Sequence, residues 1–475
     1  MKARPSQPRI LRGLFVLDML VLPAINPCAL ADNHYPVKSG GDTTVRKADV
    51  NAFSLPSHNM SFERKVDFSV GNSFFRNPWV IAPSSTAARD GLGPLFNTNG
   101  CQNCHIKDGR GHLPAQDAAN AVSVLLRISV APRTPQQWQR VYRDGGIPDP
   151  HYGTQIQDFA VPGLEPEARL DIRYEARAVT LADGTGVLLR KPVVQLKQLA
   201  YGPVHPDLQM SLRLAPPMIG LGLLEAIPEA VLQAFADEQD RDGNGISGRL
   251  NRVWNVESAA SAAGRFGWKA EQPSLKQQNA AAFAGDLGVT SGLFLHTDCT
   301  PAQTACKGVP AGGVPEASDH VLDLVTFYSR NLAVPARRNA DSAPVQKGGQ
   351  LFAAAGCDSC HRTGMVTAEL PAQPEQSLQT IHPYTDLLLH DMGEELSDGR
   401  PVFRADAREW RTAPLWGIGL TATVSGTEHY LHDGRARSLL EAILWHGGEA
   451  EHSREQVRHM NAADRDALIA FLQSL

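Results

Sequence analysis

One line of sequence occurs twice in this chain. "GPLFNTNGCQNCH" runs from Gly93 to His105, and "GGQLFAAAGCDSCH" runs from Gly348 to His361. Both copies fit the pattern G-x-L-F-x-x-x-G-C-x-x-C-H, which begins at Gly93 in the first copy and at Gly349 in the second. A repeat of this kind predicts two structural modules that perform the same local chemistry.

Three kinds of site contain a C-x-x-C pair. A thioredoxin-like redox pair expects a βαβ context, which this sequence lacks, and a zinc site needs four ligands at a spacing that is absent here. The third kind is covalent c-type haem, in which both thiols form thioethers and the adjacent His ligates the iron. We therefore predict two covalently bound haem c groups, held by Cys101, Cys104 and His105 and by Cys357, Cys360 and His361.

The residues before each pair predict how a haem edge is covered. Leu95-Phe96 and Leu351-Phe352 are expected on a helix that precedes the attachment site, where their side chains can pack on the porphyrin. Gly100 and Gly356 are expected to end that helix.

Two apolar repeats at helical spacing predict the helices that close each module. They lie at residues 318–332 and 462–475, and a polar, Pro-containing linker separates them. The predicted domains are 32–335 and 336–475, and the first carries an insertion at about 115–290 that contains a β-hairpin around the turn "ADGTG". The fold class expected is mainly α: two cytochrome c-like haem domains in a pseudo-twofold relation, with a small sheet in the insertion.

The N-terminal segment and the remaining cysteines indicate export. Residues 1–31 have a basic start, a short apolar stretch and "ALA" before Asp32, as in a cleaved signal peptide. The stretch is too short to span a bilayer, so we expect a periplasmic protein without a membrane span. In that oxidising compartment Cys299 and Cys306 are expected to form a disulfide. The formal net charge of -5, with no basic run beyond the N-terminus, argues against a nucleic-acid partner.

The C-terminal sequence resembles that of bacterial dihaem cytochrome c peroxidases. The resemblance lies in Arg411-x-x-Pro414, in the run from His432 to Arg435, and in Ser438-Leu439. Over nearly the whole chain the sequence resembles the dihaem oxidoreductase family, often labelled thiol oxidoreductases. The stretches that carry this resemblance are "YGTQIQDFAVPG", "APPMIGLGLLEAIP", "DRDGNGISGR", "GRFGWKA" and "YTDLLLHDMG".

The resemblance implies a second ligand for the C-terminal haem. In the peroxidases the helix after His-Asp-Gly supplies the sixth ligand, usually Met or Tyr, and here the matching position is His446. The C-terminal iron is then expected to be bis-His, through His361 and His446, which restricts it to electron transfer. The alternative is a surface histidine at a helix C-terminus.

A second internal similarity indicates that the first haem site differs from the second. "LRLAPPMIGLGL" matches "WRTAPLWGIGL", with Arg213 against Arg411 and Pro216 against Pro414, but no His-Asp-Gly follows the first copy. The first iron, with His105 as its protein ligand, is therefore expected to have an open face where peroxide or oxygen binds. Four further histidines have no assigned role and are alternative ligands, namely His112, His151, His205 and His320.

Peroxide cleavage also requires a proton carrier and a cation near the departing oxygen. Glu225 is the predicted acid/base, because it is a lone carboxylate in an apolar run, and Arg213 is the predicted cation. The alternative for Glu225 is a helix-capping or ion-paired glutamate, with Arg213 as one candidate partner. Gln155 and Gln157 are weaker candidates for the same face.

A loop in the insertion has the pattern of a calcium site. Asp240, Asp242, Asn244 and the carbonyl of Ile246 fall at ligand positions one, three, five and seven. Asn251 stands where a bidentate Glu is expected, so a turn held by side-chain hydrogen bonds is an equal alternative. The pairs His390-Asp391 and His432-Asp433 could orient a ring toward a haem. Three tryptophans are candidates for a position between the haems, namely Trp254, Trp268 and Trp416.

The function expected is that of an exported dihaem oxidoreductase. Electrons from a small periplasmic donor, a cytochrome or cupredoxin, enter at the C-terminal haem and pass to the N-terminal haem, where peroxide or another small oxidant is reduced. Two alternatives stay open. One is a dihaem oxidase of a protein or small-molecule substrate, and the other is a non-enzymatic electron-transfer cytochrome.

Overall fold

The computed structural model describes residues 35–115, 118, 120–297 and 299–475. The predicted signal segment, residues 1–31, lies outside the described residues. From Tyr35 to Leu475 the chain packs as one compact unit. None of the helices described is both long enough and apolar enough to cross a membrane.

The described chain forms twelve α-helices. They are α1 Phe62–Arg76, α2 Cys101–Cys104, α3 Pro135–Asp144, α4 Leu221–Glu225, α5 Glu229–Phe235, α6 Leu275–Asp286, α7 Asp319–Arg330, α8 Ala343–Ala354, α9 Thr421–Ser425, α10 Leu439–Leu444, α11 Glu451–His459 and α12 Ala462–Ser474.

Within the described residues, twelve strands pair into six antiparallel two-stranded sheets. They are β1 Leu95–Phe96 with β3 Phe159–Ala160, β2 Val124–Val130 with β6 Leu208–Leu214, β4 Arg169–Thr180 with β5 Gly186–Lys197, β7 Arg252–Asn255 with β8 Ala260–Ala263, β9 Met365–Val366 with β10 Thr380–Ile381, and β11 Leu389–Asp391 with β12 Glu409–Arg411. The fold is therefore mixed and rich in helices, and the predicted fold class, mainly α, gave too little weight to the strands. The pseudo-twofold pair of cytochrome c-like domains and the boundary at 335/336 stay predictions.

The second module follows the prediction closely. Helix α8 contains Leu351-Phe352 and ends before Gly356, whose φ of 75° turns the chain into the cysteine pair. Helix α12 packs across α8, and the contact is so close that a Cβ on Gly348 would lie 2.0 Å from the carbonyl oxygen of Ala467. The closing helix predicted from the apolar spacing at residues 462–475 is thus confirmed.

The first module differs from the prediction in the residues before the cysteine pair. Gly100, expected to end a helix, is extended and precedes α2, which starts at Cys101. Leu95-Phe96 is not helical but forms β1, in which Phe96 pairs with Phe159 and stacks on it at 5.5 Å. The reason is local: Gly93 and Pro94 precede the pair, and both weaken a helix. The helix that packs against the closing helix of this module is α1, which comes earlier in the chain. The closing helix itself, predicted at 318–332, is confirmed as α7.

The insertion contains the predicted hairpin. Strands β4 and β5 pair in register from Arg169 with Lys197 to Thr180 with Gly186. Its tip reaches the C-terminal module, because Leu181 and Leu189 are buried in the same apolar cluster as Leu468 of α12. Polar contacts fix the tip there: the Arg465 guanidinium donates to Asp183 at 2.8 Å, and the backbone N–H of Ala182 donates to the carbonyl of Arg458 at 3.0 Å.

The predicted disulfide between Cys299 and Cys306 is present. The other four described cysteines are free thiols, and they are the two C-x-x-C pairs.

Candidate functional site

The first cysteine pair opens onto a large cavity. Cys101 and Cys104 lie on α2, and they line a cavity of about 580 Å³ together with His105. His105 donates its Nδ1–H to the carbonyl of Pro216 at 2.8 Å, which leaves Nε2 with a free lone pair. Burial lowers the pKa of His105 to about 4, so the ring is neutral. A neutral imidazole oriented by a backbone carbonyl is the usual form of a metal-ligating histidine.

The second pair repeats this arrangement. Cys357 and Cys360 line a cavity of about 180 Å³, and His361 donates its Nδ1–H to the carbonyl of Tyr384 at 2.8 Å. Burial lowers the pKa of His361 to about 4 as well. Each C-x-x-C-H motif thus presents two thiols at a cavity, beside a neutral imidazole with a free Nε2.

A second histidine lines the smaller cavity. His446 follows α10 and donates its Nδ1–H to the carbonyl of Ala442 at 2.8 Å, so Nε2 is again the free nitrogen. Burial lowers the pKa of His446, and a charge on this ring is close enough to affect the pKa of His361. Both rings line one cavity, and their ligation of a single iron, which the resemblance to the peroxidases implies, stays a prediction.

One wall separates the two cavities and belongs to both. The residues that line both cavities are Arg110, Trp268, Arg411, Ala413 and Pro414. Trp268 is held by its indole N–H, which donates to the carbonyl of Leu214 at 2.9 Å. Of the three tryptophans considered from sequence, Trp254 and Trp416 line the larger cavity alone, whereas Trp268 lines both.

The residues present fit two haem c groups. Each motif offers two thiols and one oriented imidazole, which would hold the haem, and the arginines of the shared wall, Arg110 and Arg411, would pair with its propionate carboxylates. Arg110 is 6% exposed, and its Nε has no hydrogen-bond partner. A buried guanidinium nitrogen without a partner calls for an anion, which a propionate provides.

Arginines dominate the polar lining of the larger cavity. Seven line it, namely Arg110, Arg127, Arg143, Arg213, Arg265, Arg400 and Arg411, against three carboxylates, Asp144, Glu271 and Asp286. Arg213, the predicted cation, donates from Nε to Ser211 at 2.6 Å and lies 3.6 Å from Glu271 and 3.4 Å from Asp398.

Glu225, the predicted acid/base, lies outside the lining of the larger cavity as described. Its Oε1 accepts from the backbone N–H of Leu275 at the start of α6, and its Oε2 accepts from Arg330 at 2.7 Å. The alternative expected from the sequence, a helix-capping or ion-paired glutamate, is present, with Arg330 as the partner in place of Arg213. The carboxylates beside Arg213 are Glu271 and Asp398.

The side chains of the two glutamines hold the fold together through hydrogen bonds. Gln155 and Gln157 both donate to the carbonyl of Gly285, and Gln155 donates to Asp286 as well. They hold the C-terminal end of α6, and neither lines the cavity among the described residues.

A histidine that sequence reasoning missed lies at the rim. His296 lines the larger cavity and is exposed, whereas none of His112, His151, His205 and His320 lines it. No motif surrounds His296. The one signal available was its position three residues before the disulfide cysteine Cys299.

The calcium-like loop has hydrogen bonds of its own. Asp240 accepts from the backbone N–H of Gly245, Asp242 accepts from that of Asn244, and Asn244 accepts from that of Ile246. Asn251 is buried and points away from the loop, since its amide donates to the carbonyl of Lys269. The turn predicted as the alternative is present, and calcium binding at Asp240, Asp242, Asn244 and Ile246 stays a prediction.

The histidine of each His-Asp pair, His390 or His432, lines the second cavity. His390 is buried between Asp386 at 2.9 Å and Glu449 at 2.7 Å. Burial by itself lowers the pKa of His390, but the hydrogen bonds to its carboxylate partners raise it well above the ordinary value. His432 stacks on Trp410 with ring centroids 3.6 Å apart.

The chain belongs to the family described as "Di-haem oxidoreductase, putative peroxidase", whose model matches residues 34–475. No curated protein matches the chain. Among solved structures, the chain is similar to hydrazine synthase of Kuenenia stuttgartiensis, determined under xenon pressure, with 14% identity, a TM-score of 0.34 and coverage of 99% of this chain and 100% of that one. A likeness at this level carries no argument about fold or function.

Proposed function

We propose that this dihaem oxidoreductase reduces peroxide at its first haem with electrons that arrive through its second haem. The observation that supports this is the asymmetry of the two cavities. Four histidines line the smaller cavity, and two of them, His361 and His446, donate Nδ1–H to a backbone carbonyl and keep a free Nε2. The other two, His390 and His432, lie against carboxylates. In the larger cavity His105 is bonded in the same way as His361, and the other histidine among its described lining residues, His296, lies exposed at the rim.

The haem supplies the redox chemistry, and the chain supplies ligands, access and protons. Each peroxide takes two electrons and two protons and leaves as two waters. We assign the proton transfer to Glu271 in place of Glu225, because Glu271 lines the cavity and lies beside Arg213. Arg213 stabilises negative charge on the departing oxygen, as a preorganised cation does in a site shielded from water.

Electrons cross the shared wall. Trp268 is buried there, and its ring plane is fixed by the hydrogen bond to Leu214 and by the Arg110 guanidinium 5.6 Å from the ring centroid. The donor is a one-electron carrier, a small cytochrome or a cupredoxin, and the protein works in the periplasm after export. Two donor molecules are oxidised for each peroxide.

Spectroscopy and a peroxide titration test this function. The oxidised holoprotein should give one high-spin and one low-spin ferric signal. Peroxide should then oxidise a reduced small cytochrome over many turnovers, with two equivalents consumed per peroxide. Two low-spin signals, or donor oxidation below about one turnover, would contradict the proposal.

One observation favours a second candidate. Trp254 lines the larger cavity and is 38% exposed, so it connects the first haem site to the surface. That position suits oxidation of a protein or small-molecule substrate by way of the indole. In that case the Trp254→Phe variant should lose substrate oxidation and keep peroxide reduction by a reduced cytochrome.

A further inference from the structure

The ribbon of β2 and β6 presents a polar face to the larger cavity. Residues directly opposite each other in an antiparallel pair point to the same side of the sheet. Arg127 pairs with Ser211, and Leu125 pairs with Arg213, on the side that lines the cavity. The opposite side is apolar, since Leu126 and Leu212 are buried in a separate hydrophobic cluster. Arg127 and Arg213 are therefore held on a rigid platform.

A turn from the C-terminal half adds a third guanidinium. Asp398 accepts from Ser211 at 2.5 Å and from the backbone N–H of Arg400 at 3.0 Å, so the turn is fixed on the ribbon. Burial lowers the pKa of Arg400 to about 10, with contributions from the charges of Arg213 and Arg127. Three arginines from two halves of the chain thus converge on one cavity wall.

Two nitrogens of this cluster have no partner. The Nη1 of Arg213 and the Nε of Arg400 are buried and make no hydrogen bond, and the two residues are 5% and 6% exposed. Protein interiors rarely leave such groups unpaired. The nearest carboxylate to Arg213 Nη1, Glu271, lies at 3.6 Å, beyond hydrogen-bond distance. The cluster is therefore built for an anion that comes from outside the chain.

A haem propionate is one source of that anion, but the position of Arg127 favours another. A Cβ on Gly285, near the end of α6, would lie 3.8 Å from Nη1 of Arg127. The carbonyl of the next residue, Asp286, accepts from the backbone N–H groups of Asn97 and Thr98, just before the attachment cysteines. Arg127 therefore lies on the side of the cavity where Cys101 and Cys104 lie. In haem c the propionates leave the edge opposite the thioethers, so Arg110 and Arg411, on the shared wall, would be the arginines to receive them.

We propose that Arg127, Arg213 and Arg400 form an anion-binding site, so that the small molecule admitted to the larger cavity carries an anionic group, a carboxylate or an oxyanion. This inference rests on the proposed function, because it names the class of ligand that the first haem site takes. The planar forks of arginine suit such groups, which accept two parallel hydrogen bonds.

Optical titration of the dihaem holoprotein tests the site with two probes. Azide is an anionic iron ligand, and imidazole is neutral at a pH above its own pKa. Arg400→Gln and Arg127→Gln should each weaken azide binding at the first haem at least tenfold and leave imidazole binding unchanged. Arg400→Lys, which keeps the charge, should recover much of the azide affinity. Arg133→Gln is the matched control, because Arg133 follows β2 but is exposed and paired with Asp207.

The outcomes separate the two proposals. Equal changes for both probes, or none, would overturn the anion site and leave the open iron intact. An altered reduction potential of the first haem in Arg400→Gln, with an unchanged ratio of azide to imidazole affinity, would assign the cluster to a propionate and overturn it as well. If neither probe binds the wild-type protein, the open iron itself is wrong, and both proposals fail.

Discussion

His446 donates its Nδ1–H to the carbonyl of Ala442, one turn earlier along the chain, and so presents Nε2 to the cavity that it shares with His361. A histidine at the end of a helix without this bond would be free to turn away. The hydrogen bond therefore fixes both the ring and its tautomer, which is what an iron ligand requires.

Replacement of His446 should open the second iron. In His446→Ala the second ferric signal should change from low-spin to high-spin, because one of its two imidazoles is lost. His446→Met should restore a six-coordinate iron with a higher reduction potential. Electron paramagnetic resonance and a redox titration check both results, with His452→Ala on the exposed face of α11 as the control. An unchanged spectrum in His446→Ala would remove this ligand assignment.

Glu271 and Glu225 should behave differently when each is changed to Gln. Glu271→Gln should lower kcat for peroxide by about 10²- to 10⁴-fold, the range typical of a lost general acid/base. Glu225→Gln should keep kcat and lose stability, because it breaks the ion pair with Arg330 that joins α4 to α7. Steady-state kinetics and chemical denaturation measure the two effects. A large loss of kcat in Glu225→Gln at full stability would restore the assignment made from sequence.

Trp268 should affect transfer between the haems and not their ligation. Trp268→Phe should keep both ferric spectra and slow the reoxidation of the second haem after one equivalent of peroxide, since the indole is the aromatic ring that lines both cavities. Stopped-flow absorption follows this step. Trp416→Phe, which changes the larger cavity alone, is the comparison, and equal rates in the two variants would contradict the assigned route.

Replacement of His296 tests whether the first iron has an open coordination position. The proposed function requires that His296→Ala leave the spin state of the oxidised first haem unchanged. Conversion of a low-spin signal to a high-spin one in this variant would show that the exposed rim histidine closes the iron. The chain would then act as an electron relay.

The pair of Asp433 and Arg435 should give an acid-dependent stability. Both are buried, and although burial alone would raise the pKa of Asp433, its bonds to His432 and Arg435 hold that pKa far below the ordinary value. The pair stabilises the fold above the unfolded pKa of about 4, and this is lost as pH falls toward the folded pKa. Asp433→Asn should cost about 3–5 kcal/mol at pH 7 and progressively less below pH 4. Urea unfolding at several pH values tests this, with exposed Asp466→Asn as the control.

Local patterns predicted the features that depend on neighbours in sequence. The thiols and imidazole of each C-x-x-C-H site, the hairpin turn and the helix at 462–475 all depend on residues within a few positions of one another. His446 was found by counting from a motif in related proteins. Each of these features is set by local geometry, and the structure places each where the sequence indicated.

Contacts between residues that are distant in sequence could not be predicted from local patterns. Nothing near Glu225 shows that Arg330, far along the chain, will bind it, or that Glu271 will come to face Arg213 instead. Likewise, Leu95-Phe96 repeats Leu351-Phe352 letter for letter, yet a proline and the partner Phe159 make it a strand. Identical short sequences follow the contacts available to them.

The hairpin tip joins the insertion to the C-terminal helices. Leu181 and Leu189 lie in one apolar cluster with Leu468 of α12. A chain cut near residue 336 would leave both side chains in water, as an apolar patch prone to aggregation. The parts of the chain on either side of that cut should therefore unfold together, and neither is expected to be stable when expressed alone.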